Sequence, residues 1–140
     1  MTYNPPKPMA KILVVEDDDA NREFLRYVLE TSGHQVRTAG DGQAGLDAVA
    51  AEPPELILLD VMLPEVHGYE VCHRLKGSPK TSAIKIMFLS AKTFPADRHQ
   101  ARAVGADDFL SKPADPRTLL SRVEGLLKGE PGPGLPALEP

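Results

Sequence analysis

Polar side chains that can bind a cation or a phosphoryl group recur along this sequence at the ends of short apolar segments. The residues concerned are Glu16, Asp17, Asp60, Ser90 and Lys112. Crowded carboxylates repel one another and raise one another's pKa, so a cluster of them persists best when a cation lies among them. A small set of hard oxygen ligands, with room for water or phosphate, is the coordination that Mg²⁺ prefers. The pattern therefore indicates a magnesium site, provided that the fold brings these residues together.

Each of these residues also has an ordinary structural explanation. An acidic residue after a strand commonly caps the next helix, as Asp18 or Asp19 would here. Asp60 precedes a turn that contains a proline. Ser90 is suited to capping, and Lys112 to a solvated surface position. These explanations suffice one at a time, but they do not explain why acids, a hydroxyl and an amine all follow apolar segments.

The segments that carry these residues alternate between strand and helix patterns. Ile12–Val15 and Leu56–Leu59 are apolar throughout, which is typical of strands buried on both faces of a parallel sheet. Such alternation favours a sheet covered by helices on both sides, with ligands bound beyond the carboxyl ends of the strands. Strands are predicted at 11–15, 34–39, 56–59, 84–89 and 107–111, and helices from Asp18 or Asp19 to Gly33 and at 43–51, 69–76, 95–104 and 116–128.

Composition and charge narrow the class of protein. The 140 residues suit one domain, and a net charge of -4 without a long Lys/Arg run argues against direct nucleic-acid binding. No apolar run approaches the roughly 18 residues that span a membrane, so we expect no membrane partner and a cytoplasmic location. Cys72 is the only cysteine, which excludes an internal disulfide.

Both ends of the chain differ in composition from the middle. Residues 1–9 are polar and Pro-rich, which predicts a flexible N-terminal segment rather than a signal peptide. Residues 129–140 contain four prolines and three glycines, which predicts a disordered tail or a linker. The composition fits a natural terminus and a link to an effector domain equally well. No DNA-binding module fits within the 140 residues, and the folded domain is predicted at 10–128.

Four segments of the chain resemble the receiver domain of bacterial two-component response regulators. They are KILVVEDDDANR, LILLDVMLPEVHGYEVC, IMFLSA and GADDFLSKP, in the order and at the spacing of that family, and the resemblance covers roughly residues 10 to 128. It implies an α/β fold of the flavodoxin-like type, a doubly wound (βα)5 three-layer sandwich with parallel strand order 2-1-3-4-5.

The resemblance also implies a role for each polar residue at the strand ends. Asp60 corresponds to the phosphoacceptor. The implied metal ligands are Asp17, Asp60 and the backbone carbonyl of Met62, with Glu16 acting through water. The implied cofactor is Mg²⁺, with Mn²⁺ as a substitute.

Three further positions match the part of the family motif that contacts the phosphoryl group and reports its presence. Lys112 corresponds to the lysine that pairs with the phosphate, and the Lys112–Pro113 bond is expected to be cis. Ser90 corresponds to the hydroxyl that meets a phosphoryl oxygen. Ser90 and Phe109 together correspond to the switch pair, in which the aromatic side chain moves when the hydroxyl is drawn to the phosphate.

The function implied is a phosphoacceptor signalling switch of a two-component phosphorelay. A sensor histidine kinase, a phosphotransfer protein or acetyl phosphate would supply the phosphoryl group, and the chain would catalyse only its own phosphorylation and dephosphorylation. Output would pass through the face of the fourth helix, fifth strand and fifth helix to a downstream protein or a homodimer. Exposed candidates on that face are Arg98, Arg102, Asp108, Arg117 and Arg122.

Two other functions fit parts of the sequence. Residues 40–45 match the G-x-G-x-x-G motif of dinucleotide-binding domains, but the strand before them is half polar and the acids and Lys112 would have no role. An aspartate-based phosphatase of the haloacid dehalogenase type resembles the Asp60 segment, but that family has a second Asp where Met62 stands. Neither alternative accounts for all of the residues at the strand ends.

Overall fold

Five strands and five helices alternate along the part of the chain that the computed structural model describes, residues 10–136. The strands are β1 (Lys11–Val15), β2 (Gln35–Ala39), β3 (Leu56–Asp60), β4 (Lys85–Ser90) and β5 (Asp108–Ser111). The helices are α1 (Asp19–Thr31), α2 (Gly42–Ala51), α3 (Gly68–Lys76), α4 (Pro95–Ala103) and α5 (Pro116–Leu127). All strand pairs are parallel and the order in the sheet is β2-β1-β3-β4-β5, so the predicted fold is confirmed.

The apolar strands hold the three layers together. Residues of β1 and β3 alternate between two buried clusters, one on each face of the sheet, because successive side chains of a strand point to opposite sides. One cluster contains residues of α2, α3 and α4, and the other contains residues of α1 and α5. Since both faces are covered, a ligand is expected at the ends of the strands.

Several acidic residues cap helices, and for Asp18 the sequence indicated this role. The Asp18 side chain accepts a hydrogen bond from the backbone N–H of Asn21 at 2.7 Å, at the start of α1. Asp41 and Asp115 make the corresponding bonds at the starts of α2 and α5. These carboxylates satisfy helix N–H groups that have no partner within the helix, and so they are assigned a structural role.

The glycines of the G-x-G-x-x-G segment serve the packing of α2. A Cβ atom at Gly42 would overlap the backbone of Val66, and one at Gly45 would lie 3.0 Å from the Val15 side chain. The preceding strand, β2, is at the edge of the sheet, whereas the dinucleotide-binding fold places a central strand there. The motif is therefore explained by close helix packing, and the dinucleotide interpretation has no support.

The C-terminal segment continues beyond α5 and returns to the sheet. Lys128 caps α5, and the chain then runs along β5, where Gly132 N–H donates to the carbonyl oxygen of Asp107 at 3.2 Å. The predicted flexible segment at 1–9 and the last part of the predicted tail, 137–140, lie outside the described residues. Among residues 10–136, no helix combines the length and apolar character needed to cross a membrane.

Candidate functional site

The predicted site residues meet at the carboxyl ends of the strands. Parallel pairing aligns Val15 with Leu59 and Ser90 with Ser111, so the residues that end or follow these strands lie side by side. They come from four places in the chain. These are the segment after β1 (Glu16, Asp17), the last residue of β3 (Asp60), the last residue of β4 (Ser90) and the segment after β5 (Lys112).

A lysine bridges the two most buried carboxylates of the site. Lys112 Nζ lies 2.5 Å from Glu16 Oε1 and 2.8 Å from Asp60 Oδ2. Glu16 is 1% exposed and Asp60 is 7% exposed, so both carboxylates are largely removed from water. The peptide bond that joins Lys112 to Pro113 is cis, as predicted.

Glu16, Asp17 and Asp60 form an acidic cluster. One carboxylate oxygen from each lies within 4.8 Å of the others. Three carboxylates face one ammonium group here, so the cluster has an excess of negative charge that a divalent cation would neutralise. All three donors are hard oxygens, which fits Mg²⁺ and similar ions and disfavours soft metals.

Burial and mutual repulsion separate the acidities of the two bridged carboxylates. Burial raises the pKa of Asp60 to about 6, and its hydrogen bond with Glu16 adds to this while Lys112 opposes it. Burial also acts to raise the pKa of Glu16, but its hydrogen bonds with Asp60, Lys112 and Asn21 outweigh it and lower the pKa to about 2. Asp60 is therefore the member of the pair that holds the last proton as the pH rises.

The Asp60 carboxylate is fixed on both sides by donors. Its Oδ1 accepts the backbone N–H of Met62 at 3.1 Å, and its Oδ2 accepts Lys112. The Met62 side chain is 49% exposed beside it. A metal-binding role of the Met62 carbonyl stays a prediction.

Ser90 and Phe109 lie on the neighbouring strands β4 and β5 and take no part in the hydrogen bonds of the acidic cluster. Ser90 is buried at the end of β4, and its Oγ accepts the backbone N–H of Lys92 at 3.0 Å. Phe109 is buried in β5, with the Arg98 guanidinium 4.8 Å from the centre of its ring. The switch pair therefore connects the site to α4 and β5, although its movement stays a prediction.

Two residues that the sequence analysis did not assign support the site from α1. The Asn21 side chain donates to Glu16 Oε1, and Arg22 Nη1 donates to the Glu16 backbone carbonyl at 3.0 Å. Both belong to the KILVVEDDDANR segment, so the motif contained them. Their roles depend on the direction of α1 relative to β1, which the residue types do not specify.

Four of the five residues that were expected to be exposed on the output face are not: Arg98, Arg102 and Arg122 are half-buried, and Asp108 is buried. Asp108 was expected to be exposed, but it is fully buried. Its carboxylate accepts Arg122 at 3.0 Å and 3.1 Å, and its Oδ1 also accepts the backbone N–H of Gly134 at 2.8 Å. Burial is tolerated because every oxygen of the charged group has a donor.

Comparison with known proteins identifies relatives across most of the chain. The model of the response regulator receiver domain family matches residues 12–124. The alkaline phosphatase synthesis transcriptional regulatory protein PhoP of Bacillus subtilis is 42% identical over 84% of this chain and 48% of its own length. Response regulator PleD of Caulobacter vibrioides is 41% identical over 85% of this chain and 26% of its own length. The chain thus spans about half, or less, of the length of these relatives.

Solved structures give the same result. The receiver domain of a signal transduction histidine kinase from Syntrophus aciditrophicus has a TM-score of 0.80 and 36% identity, covering 86% of this chain and 91% of that one. The chemotaxis response regulator CheY4 of Vibrio cholerae has a TM-score of 0.79 and 31% identity, covering 83% of this chain and 97% of that one. Both matches cover more than four fifths of this chain.

Proposed function

The chain belongs to the response regulator receiver domain family, a family of phosphoacceptor signalling switches, and from this premise we propose that Asp60 is the phosphoacceptor. The observation that carries the proposal is the position of Asp60 at the end of β3. There its carboxylate contacts Lys112 at 2.8 Å and shares an acidic cluster with Glu16 and Asp17. Glu16 shares the cluster and the lysine contact, but it is 1% exposed against 7% for Asp60, so Asp60 is the more accessible of the two.

The chain's own residues account for most of the transfer chemistry. Asp60, ionised near neutral pH, attacks phosphorus through a carboxylate oxygen, forming an O–P bond as the bond from phosphorus to the donor breaks. The donor leaves with the bonding electrons and takes a proton from solvent. Lys112 offsets the charge on the phosphoryl oxygens, and positioning of this kind provides most of the catalysis in phosphoryl transfer.

Ser90 is suited to donate a hydrogen bond to the transferred group. Its Oγ accepts the Lys92 amide through a lone pair, which leaves the hydroxyl proton free to donate elsewhere. A phosphoryl oxygen on Asp60 would offer an acceptor across the neighbouring strand. This contact would draw Ser90 towards the site and alter the space next to Phe109.

Receiver domains bind a divalent metal ion in an acidic pocket, which in this chain is the cluster of Glu16, Asp17 and Asp60. We assign Mg²⁺ as the ion, with Mn²⁺ as a substitute, because all of the donors are oxygens. Asp17 and Asp60 would bind it directly, with the Met62 carbonyl, and Glu16 would act through water. When bound, the ion supplies positive charge next to the phosphoryl oxygens.

The chain is proposed to act only on itself. A phosphatase that uses an aspartate nucleophile needs a general acid close by, and the position two residues after Asp60 holds Met62. Hydrolysis of the aspartyl phosphate by water would return the domain to its resting state. The proposed donor is a sensor histidine kinase or a phosphotransfer protein, and the proposed output is a contact with another protein or a second copy.

Labelling with acetyl phosphate tests the assignment. With Mg²⁺, peptide mapping should place the phosphoryl group on Asp60, and Asp60→Asn should abolish it. Asp47→Asn is a matched control, because Asp47 is an exposed residue of α2 away from the site. Label on a different peptide, or equal label in Asp60→Asn, would show that Asp60 is not the acceptor.

A further inference from the structure

The segment 130–135 lies along β5 in an arrangement that its composition does not suggest. Gly132 and Gly134 are half-buried, whereas Pro131 and Pro133 are exposed. The two glycines therefore lie closer to the domain than the two prolines, and the chain makes a turn at Pro133 and Gly134.

Both glycines are needed for the close approach. A Cβ atom at Gly132 would overlap the Asp108 side chain and the Asp107 carbonyl oxygen. A Cβ atom at Gly134 would overlap the carbonyl oxygen of Phe109. The flanking prolines restrict the backbone before it binds, which lowers the entropy lost on ordering the segment.

Four hydrogen bonds hold the segment in place. Glu130 N–H donates to the carbonyl oxygen of Gly125 in α5 at 2.9 Å. Gly132 N–H donates to the Asp107 carbonyl oxygen at 3.2 Å, and Gly134 N–H donates to Asp108 Oδ1 at 2.8 Å. Arg98 Nη1 donates to the Gly134 carbonyl oxygen at 2.7 Å. Leu135 packs against the core cluster on the α2–α4 side of the sheet.

The segment therefore contacts each part of the face formed by α4, β5 and α5. Arg98 is on α4, Asp108 is on β5, and Asp108 is itself paired with Arg122 of α5. Arg98 also lies over the ring of Phe109 and donates to Ser111 Oγ at 3.3 Å. A partner that binds this face would meet the segment first.

We propose that residues 130–135 form an intramolecular cover over the edge of β5, which a second copy of this chain must displace to bind the α4–β5–α5 face. The edge strand of a sheet presents unpaired backbone groups, and covering it prevents unintended pairing. The binding part of the proposal depends on the proposed output face. A second copy fits because an uncovered β5 is an edge strand, and its unpaired backbone groups can pair with the same edge of another copy across a two-fold axis.

Amide hydrogen exchange of the full chain, monitored by NMR, tests directly whether residues 130–135 cover β5. In the wild type, the Gly132 and Gly134 amides should exchange at least about tenfold more slowly than in an unstructured peptide, because each is hydrogen-bonded. Gly134→Ala should remove the protection at Gly132, and Gly132→Ala should remove it at Gly134. Pro133→Ala is the matched comparison: Pro133 is exposed between the two glycines, so this variant loses only the restriction of the backbone and should keep most of the protection. Unprotected amides in the wild type would overturn the proposal.

Sedimentation in the presence of Mg²⁺ and beryllofluoride tests the competition. The Gly134→Ala variant should associate at about tenfold lower concentration than the Pro133→Ala variant, because no free energy is needed to displace a cover that no longer binds. Arg98 and Arg122 remain intact in both variants. Equal association of the two variants would contradict the competition. Labelling of Asp60 by acetyl phosphate is measured on the same samples. Absence of label on Asp60 would contradict the proposed function. The amide exchange rates test the cover independently of that result.

Discussion

Proton and metal compete for Asp60, and this competition predicts how metal binding depends on pH. Burial, with the hydrogen bond to Glu16, raises the pKa of Asp60 to about 6. A protonated carboxyl group is a poor ligand for a hard divalent cation, so affinity requires the ionised form. Because the pKa is raised, the ionised form is lost as the pH falls through 6, and Mg²⁺ affinity should fall with it.

The size of the effect follows from the fraction of Asp60 that is ionised. That fraction is close to complete at pH 8 and about one tenth at pH 5, for a pKa of about 6. The apparent Mg²⁺ affinity should therefore be about tenfold weaker at pH 5 than at pH 8, a difference of about 1.4 kcal/mol. Glu16 adds nothing to this step, because its pKa of about 2 keeps it ionised over the whole range.

Isothermal titration calorimetry at pH 5, 6, 7 and 8 measures both the affinity and the proton released. At pH 6 about half a proton should leave on binding, which appears as a dependence of the heat on the ionisation enthalpy of the buffer. The matched control is Asp60→Asn, which should bind Mg²⁺ more weakly at every pH, with an affinity that does not fall between pH 8 and pH 5. An affinity that is flat in the wild type, or a step that remains in Asp60→Asn, would refute the assignment of the titrating group.

Three other substitutions probe single contacts of the site. Without divalent metal, Lys112→Met should lower the free energy of unfolding, measured with urea, by about 2 kcal/mol, because two buried carboxylates lose the ammonium group that pairs with them. Addition of Mg²⁺ should restore part of this loss. Asp17→Asn should weaken Mg²⁺ binding at least about tenfold. Asp19→Asn should change it less than about twofold, since Asp19 lies in α1 and pairs with Arg22. Equal losses of Mg²⁺ affinity in the two variants, measured by calorimetry, would contradict the ligand assignment. Ser90→Ala should slow labelling by acetyl phosphate about tenfold while Ser90→Thr keeps the rate, and equal rates in both would remove the hydroxyl from the mechanism.

The strands and the candidate site were predictable because their signals are local. Ile12–Val15 and Leu56–Leu59 are apolar at every position, which fits only strands buried on both faces, and parallel pairing then brings their ends together. Asp60 and Lys112 contact each other for this topological reason, although 52 positions separate them in the chain. Asp18 was recognisable as a cap because capping depends on residues only three positions away.

The burial of Asp108 was not predictable in the same way. Its neighbours in sequence are those of an exposed strand end, and its donors, Arg122 and Gly134, come from α5 and from the segment beyond it. The composition of that segment is typical of a disordered linker. Its two half-buried glycines become informative only once β5 is known to be an edge strand beside them. Contacts between a helix, an edge strand and a returning segment depend on the assembled fold.

Lys112 links the chemistry of the site to the covered edge of the sheet. In the resting state it bridges Glu16 and Asp60, so phosphorylation of Asp60 would replace one of its two acceptors by phosphoryl oxygens with more charge. Lys112 directly follows Ser111, the last residue of β5, whose Oγ accepts Arg98. Arg98 in turn holds Gly134 and lies over Phe109. A change of partner at Lys112 would thus act one residue away from the strand that the C-terminal segment covers, which is a short structural connection between the proposed phosphorylation site and the proposed cover.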